Sequence, residues 1–238
     1  MFTLNSLLDR KKLQRQFQDE GRLSIEGFFA GKAADALYAN LRSRADWMEI
    51  LNSGDKLIEL DRAAQQNLTD GQRDELSQAI YAQAREGFQY RYETIRVPDE
   101  ADIRAALDDV IVRFADWISG GEARAFFREI TGSNDIDFAD AQATAYSPGH
   151  FLTGHDDDFP GKNRVAAYVF NLTPVWRTEW GGLLLFHDDA NGVSGLVPGF
   201  NRLNLFKVPQ MHSVTEVTQS APYRRYAITG WLRKSGQR

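Results

Sequence analysis

The chain has 238 residues, 42% of them hydrophobic and 26% charged, a balance that suits a folded globular protein and excludes a disordered or low-complexity one. Its net charge of −5 argues against general nucleic-acid binding, and the absence of cysteine excludes disulfides and thiolate catalysis. The longest apolar stretches, residues 165–170 and 183–186, fall far short of the about 20 residues that a membrane helix needs. No apolar run of signal-peptide length follows Met1, so the expectation is a cytoplasmic protein with no membrane contact.

Helical periodicity dominates residues 1–137. Leu4, Leu7, Leu8, Leu13 and Phe17 make an apolar stripe at helical spacing. Residues 22–25 read as a strand, 30–41 as a helix and 56–60 as a strand. A helix over 70–85 has Thr69 or Asp70 available as its N-cap. Phe88, Tyr90 and Tyr92 alternate with polar residues and predict an aromatic strand face before Pro98, either packed in a core or forming a rim for an extended peptide. Helices over 99–118 and 122–130 follow, parted by Ser119-Gly-Gly121.

From residue 138 the period becomes two. Strands are predicted at 141–146, 150–155, 164–172, 182–187, 195–197, 202–208, 212–217 and 225–232, separated by turn residues such as Ser147-Pro-Gly149 and Pro198-Gly199. Eight short strands predict a jelly roll. The expected fold is α+β: one domain over 1–238, with a double-stranded β-helix (jelly-roll, cupin-like) core over 138–234. Residues 1–137 would form a mainly helical support packed on one sheet.

The chain has four histidines, and two of them open a His-Asp-Asp triplet, at 155–157 and 187–189. Alternate side chains of a strand share a face, so His155 and Asp157 are expected to point together. A His and a carboxylate two residues apart, completed by a distant His, form the facial triad of non-haem Fe(II) oxygenases, which leaves the remaining octahedral positions open. His212 follows Asp157 by 55 residues, enough to bring the chain back beside the first motif. It follows Asp189 by only 23, so His155, Asp157 and His212 are preferred as metal ligands. The acid-rich stretch 188–192 lacks the terminal Glu of a calcium loop.

Residues 201–238 carry a net +6 and the preceding 200 residues −11, so the tail is either a solvated basic face or a place where an anion docks. The last predicted strand sets Arg225, Ala227, Thr229 and Trp231 on one face. A planar guanidinium grips a carboxylate bidentately, and inside a barrel it is costly unless an anion meets it. A surface ion pair is the other reading, and Arg224, of opposite parity, is the rival residue.

Tyr146-x-x-Gly149, His155-x-Asp157, Trp180-Gly-Gly-Leu-Leu-Leu-Phe186, Phe200-Asn-Arg-Leu-Asn-Leu-Phe206, His212 and Arg225-Tyr-Ala-Ile-Thr-x-Trp231 occur together, in that order. In this set, residues 141–233 resemble the catalytic core of the 2-oxoglutarate- and Fe(II)-dependent dioxygenases, prolyl hydroxylase branch. The last strand is similar to that of the hypoxia-sensing prolyl hydroxylases. The His-Asp-Asp form and the Trp-x-x-x-Trp-Gly-Gly segment are similar to the ribosomal-protein prolyl hydroxylases of yeast type.

The resemblance implies Fe(II) on His155, Asp157 and His212, and Arg225 on the distal carboxylate of 2-oxoglutarate. Tyr146 and Thr229 would line the cosubstrate pocket. A tyrosine common in the family falls at Asn171, with Tyr168 nearby but of the wrong parity. O2 would be the oxidant and ascorbate a stimulant. The implied activity is hydroxylation of an unactivated C–H bond, a prolyl residue of a protein or peptide, with a ribosomal protein as one such partner. A free amino acid or small metabolite is the alternative substrate, and a non-catalytic jelly-roll binding module the alternative class. Trp231, Tyr90 and Tyr92 are weaker substrate-side residues, and residues 158–163 a lid bending at Gly161.

Overall fold

The structure, a computed structural model, describes residues 2–54, 56–188 and 192–234. Among the described residues, thirteen strands form one curled antiparallel sheet whose two walls face each other. The larger wall runs through β1 (Arg22–Glu26), β11 (Arg202–Lys207), β8 (Arg164–Asn171), β13 (Arg225–Lys234), β6 (Gln142–Tyr146) and β4 (Tyr90–Arg96). Three further strands extend it: β2 (Met48–Ser53) and β3 (Lys56–Leu60) beyond β4, and β5 (Ile136–Ala139) beside β13. The smaller wall runs through β7 (Phe151–His155), β12 (His212–Val214), β9 (Leu184–His187) and β10 (Val193–Leu196). Strand β4 joins the walls, pairing with β6 through Glu93–Arg96 and with β7 through Tyr90 and Arg91. This is the expected double-stranded β-helix.

Helices cover the outer face of the larger wall: α1 (Arg10–Glu20), α2 (Ala33–Ser43), α6 (Val110–Ser119) and α7 (Gly121–Thr131). Their apolar faces meet Phe170 of β8 and Tyr226, Ile228 and Leu232 of β13 in the main core. Phe28 lies at its centre, with ring centroids 5.6 Å from Phe170, 6.0 Å from Trp117 and 6.1 Å from Phe126. Helices α3 (Arg62–Asn67) and α4 (Asp70–Glu86) stand beside β2 and β3, where Ile80 packs on Leu51 and Phe151.

Several local expectations shift. The first helix begins at Arg10, not Leu4, because the Asp9 side chain accepts from Lys12 N and fixes the N-terminus there. Leu4 instead bridges to Phe29, and Leu7 is 88% exposed. The helix expected over 99–118 is two helices, α5 (Ala101–Ala105) and α6, because the Asp109 side chain caps Ile111 N and Arg44 pairs with the same carboxylate. Thr69, not Asp70, caps α4, in a capping box with Gln72. Residues 1–137 also contribute strands β1–β4, so the support is helix and sheet together. Strand β2 escapes periodicity because it is buried on both faces.

Truncation at the centre of the main core should be costly. Phe28→Ala is expected to lower stability by about 3–5 kcal/mol in chemical denaturation, with little change in the slope of the transition.

Candidate active site

His155 closes β7 and His212 opens β12, and the two are direct cross-strand partners in the antiparallel register. Their ring centroids lie 4.1 Å apart. Each ring is aimed by a backbone carbonyl: His155 Nδ1 lies 3.0 Å from Thr153 O, and His212 Nδ1 lies 2.7 Å from Gln210 O. A carbonyl can only accept, so each Nδ1 carries the proton and each Nε2 presents its lone pair to the cavity. Burial, helped by the neighbouring His155, pulls the His212 pKa down to about 4, which keeps its imidazole neutral as a metal ligand must be.

Asp157 completes the set, with His155 Nε2 3.6 Å from Oδ1 and His212 Nε2 3.5 Å from Oδ2. Among the described residues this is the one group of three such side chains able to hold a metal ion. The donor set, two neutral imidazoles and one carboxylate on one side of a cavity, fits Fe(II) with open positions. Strand alternation is not what aims Asp157. The strand ends at His155, and Asp157 adopts a left-handed backbone at φ 64°, turning its carboxylate back beneath the histidines. Arg164 secures this turn: its Nη1 donates to Asp157 O at 2.9 Å and lies 3.7 Å from Oδ1. The Arg164 guanidinium stacks on Trp231, 3.6 Å from the ring centre.

The alternative triplet does not assemble. His187 is exposed with its Nε2 2.8 Å from Ser213 Oγ, and Asp188 is paired with Arg22. Asp189, like most of the acid-rich stretch 188–192, lies outside the described residues.

Arg225 stands on the opposite wall, at the start of β13 and paired with Tyr146 of β6. It is 3% exposed, and among the described residues no carboxylate pairs with it. Its Nη2 reaches Asn171 Oδ1 at 3.3 Å, its guanidinium lies 5.3 Å from the centre of the Tyr146 ring, and its Nε has no partner. Burial pulls its pKa down, the response of a cation taken out of water. The rival Arg224 is committed elsewhere, with Nη2 3.0 Å from Glu93 Oε2. Arg202, Arg233 and Lys234 of the basic tail are likewise paired with acids.

Between the two walls lies a cavity of about 430 Å³. His155, Asp157 and His212 line one side, and Arg225, Tyr146 and Thr229 the other. Asn171 is fully buried behind Arg225 and does not line the cavity, and the Tyr168 hydroxyl is spent on Asp140 O at 2.7 Å. Tyr92 stacks on Tyr146 with centroids 5.2 Å apart and planes at 9°, and Tyr90 and Phe88 continue the aromatic row to His155. Phe88 is 50% exposed and Phe159, in the segment expected as a lid, 66% exposed at the mouth. Trp231 lines the cavity with its Nε1 buried and unpartnered. Arg164, Gln142 and Phe159 also line it and were not singled out in the sequence. Arg164 and Gln142 each open a strand, β8 and β6, and Phe159 lies in the loop between β7 and β8, where no spacing marks an individual side chain.

Residues 141–233 match the model of the 2OG-Fe(II) oxygenase superfamily. Comparison with curated protein sequences returns no match. Among solved structures, the chain is similar to a prolyl-4-hydroxylase of Pseudomonas putida, at 16% identity and a TM-score of 0.64, covering 95% of this chain and 100% of that one. It is also similar to a Trichoplax adhaerens prolyl hydroxylase in complex with a hypoxia inducible factor peptide fragment, at 16% identity and a TM-score of 0.61, covering 96% and 93%. The non-heme alpha ketoglutarate dependent epimerase SnoN of nogalamycin biosynthesis is similar at 10% identity and a TM-score of 0.56, covering 94% and 82%. These likenesses carry the fold.

Loss of one imidazole should be felt at once. His155→Ala is expected to weaken divalent-metal binding by about a hundred-fold or more, read by titration calorimetry, with the circular dichroism spectrum unchanged.

Proposed function

We propose that the chain is a 2OG-Fe(II) oxygenase, the superfamily whose model residues 141–233 match, and that it hydroxylates a prolyl residue of a protein or peptide. One observation carries the reading. Two imidazoles and a carboxylate converge on one wall of a cavity, and a buried guanidinium with no acid partner among the described residues faces them from the other.

In this reading His155, Asp157 and His212 hold Fe(II), with Nδ1 bonds to Thr153 O and Gln210 O keeping both rings aimed. Arg225 takes the distal carboxylate of 2-oxoglutarate, with Tyr146 beneath it, and so fixes the cosubstrate's orientation. When bound, Fe(II) and 2-oxoglutarate together reduce O2, yielding succinate and CO2 and delivering one oxygen atom to a substrate C–H. The chain's own part is to align that C–H and exclude water. Leu184, Phe206 and Val214 line the inner surface, and Tyr90, Tyr92 and Trp231 lead to the mouth.

A prolyl side chain suits an aromatic-walled channel, and the exposed Phe88 and Phe159 extend that surface past the cavity, as an extended peptide requires. The −11 carried by the first 200 residues supports a basic partner, a ribosomal protein among them, and the reading keeps the cytoplasm as its setting without direct nucleic-acid contact. Among the described residues no helix is long and apolar enough to cross a membrane. The 430 Å³ cavity by itself also suits a free amino acid or small metabolite, which is the second reading.

With Fe(II), 2-oxoglutarate and O2, succinate release should rise on adding proline-containing peptides and not free amino acids, and the peptide should gain the mass of one oxygen atom. Stimulation by free amino acids alone favours the second reading. Arg225→Ala should raise the KM for 2-oxoglutarate at least ten-fold, by roughly the loss of a charge-assisted bond pair. Phe159→Ala should raise the KM for peptide and leave peptide-independent turnover of 2-oxoglutarate unchanged.

A further inference from the structure

We propose that Asn171 is a positioning residue for the cosubstrate: its neutral amide orients Arg225 while leaving the guanidinium's charge for an incoming carboxylate. The inference rests on the oxygenase reading and adds to it what makes the pocket select a dicarboxylate 2-oxo acid.

The orientation of the amide is dictated by its neighbours. Asn171 Nδ2 donates to Val169 O and to Arg202 O, each at 3.3 Å. Both amide hydrogens are thereby committed to carbonyls on β8 and β11, which can only accept. Oδ1 is left facing Arg225, whose Nη2 donates to it at 3.3 Å. Rotating the amide by half a turn would set an oxygen against two carbonyl oxygens and an NH2 against a guanidinium, so a single orientation survives. Asn171 is fully buried at the end of β8, directly paired with Arg202 and Ala227. A rigid neutral acceptor therefore holds one corner of the guanidinium from behind.

Charge follows from the same arrangement. Every other arginine of β13 or just before it meets an acid: Arg224 meets Glu93, and Arg233 meets Asp99 and Asp140. Arg225 meets an amide oxygen and the face of Tyr146, and its Nε stays unpartnered. A carboxylate at position 171 would form a buried ion pair and use up the cation. An amide fixes direction without cancelling charge, so the favourable pairing is deferred until an anion enters the cavity. A 2-oxo acid lacking the second carboxylate would leave the cation as it is and gain nothing from it.

Calorimetric titration of the Mn(II)-loaded protein with 2-oxoglutarate and with 2-oxobutyrate, which lacks the distal carboxylate, tests this. Asn171→Ala should weaken 2-oxoglutarate about ten-fold, the scale of a lost hydrogen bond to a charged group, and leave 2-oxobutyrate unchanged. Asn171→Asp, nearly the same shape, should weaken 2-oxoglutarate further than Asn171→Ala does, because its charge competes for Arg225. The ratio of the two oxo acids is the discriminating readout, because a merely structural defect would weaken 2-oxobutyrate along with 2-oxoglutarate, in Asn171→Asp as in Asn171→Ala. Equal weakening of both oxo acids by Asn171→Ala, or wild-type 2-oxoglutarate affinity in Asn171→Asp, would overturn the proposal. Should Asn171→Asp fail to melt cooperatively, the ratio of the two affinities in Asn171→Ala decides alone. Absence of metal-dependent 2-oxoglutarate binding in the wild type sinks the oxygenase reading and this inference with it. Wild-type binding with an unchanged ratio sinks this inference only.

Discussion

Strand β13 has to satisfy two unlike environments with one backbone, and the site depends on how it does so. Tyr226, Ile228 and Leu232 point outward into the aromatic core beneath the helices, where they are buried with Phe170 and its neighbours. Arg225, Thr229 and Trp231 point inward and line the cavity. A slip of one residue in the register with β6 or β8 would exchange the two sets, placing a guanidinium among phenylalanines and an isoleucine in the pocket. The penalty for that exchange is what keeps Arg225 aimed at the metal-binding wall. The helical layer thus serves the site without touching it, because its apolar packing is what makes the register unambiguous.

The metal-binding wall solves its own problem differently. Two histidines side by side would repel if both were protonated, and burial between them suppresses that: the His212 pKa is held down near 4. The carbonyls of Thr153 and Gln210 then choose the tautomer. Phe206 closes over His212, with centroids 4.6 Å apart, and Phe186 packs on Phe206 behind it. Apolar packing around the outer part of the ligand cluster limits water and keeps the geometry rigid, which a metal site with open positions requires.

Much of this was legible in the sequence, for identifiable reasons. Each of the eight strands expected after residue 138 exists, because strands with one wet or cavity-facing side alternate visibly. Strand β2 was invisible because both its faces are buried, and the break between α5 and α6 because a capping aspartate looks, in a periodicity count, like any exposed helical residue. Spacing marks His155, Asp157 and His212, but a left-handed turn held by Arg164, not the strand parity the sequence predicts, directs Asp157. Arg164 itself carried no signal, since its partner is a backbone oxygen whose position only the fold creates. Position 171 departs in sequence from the family's tyrosine, and the role of its amide depends on Val169 O, Arg202 O and Arg225, which only the fold brings around it.

The division of labour between the two walls bears on what this architecture can vary. Chains similar in fold include hydroxylases and an epimerase, so the shared scaffold does not choose the outcome of the reaction. In this chain Arg225 and Asn171 are buried on paired strands and His212 opens another, whereas the exposed Phe88 and Phe159 line the cavity from outside the strands. Changing a rim residue costs little folding energy, because it removes few buried contacts. Changing Arg225 or Asn171 disturbs a hydrogen-bonded group inside the sheet. In the proposed reading, substrate choice is free to drift at the rim, while the pocket around Arg225 is bound to the folding of β8 and β13.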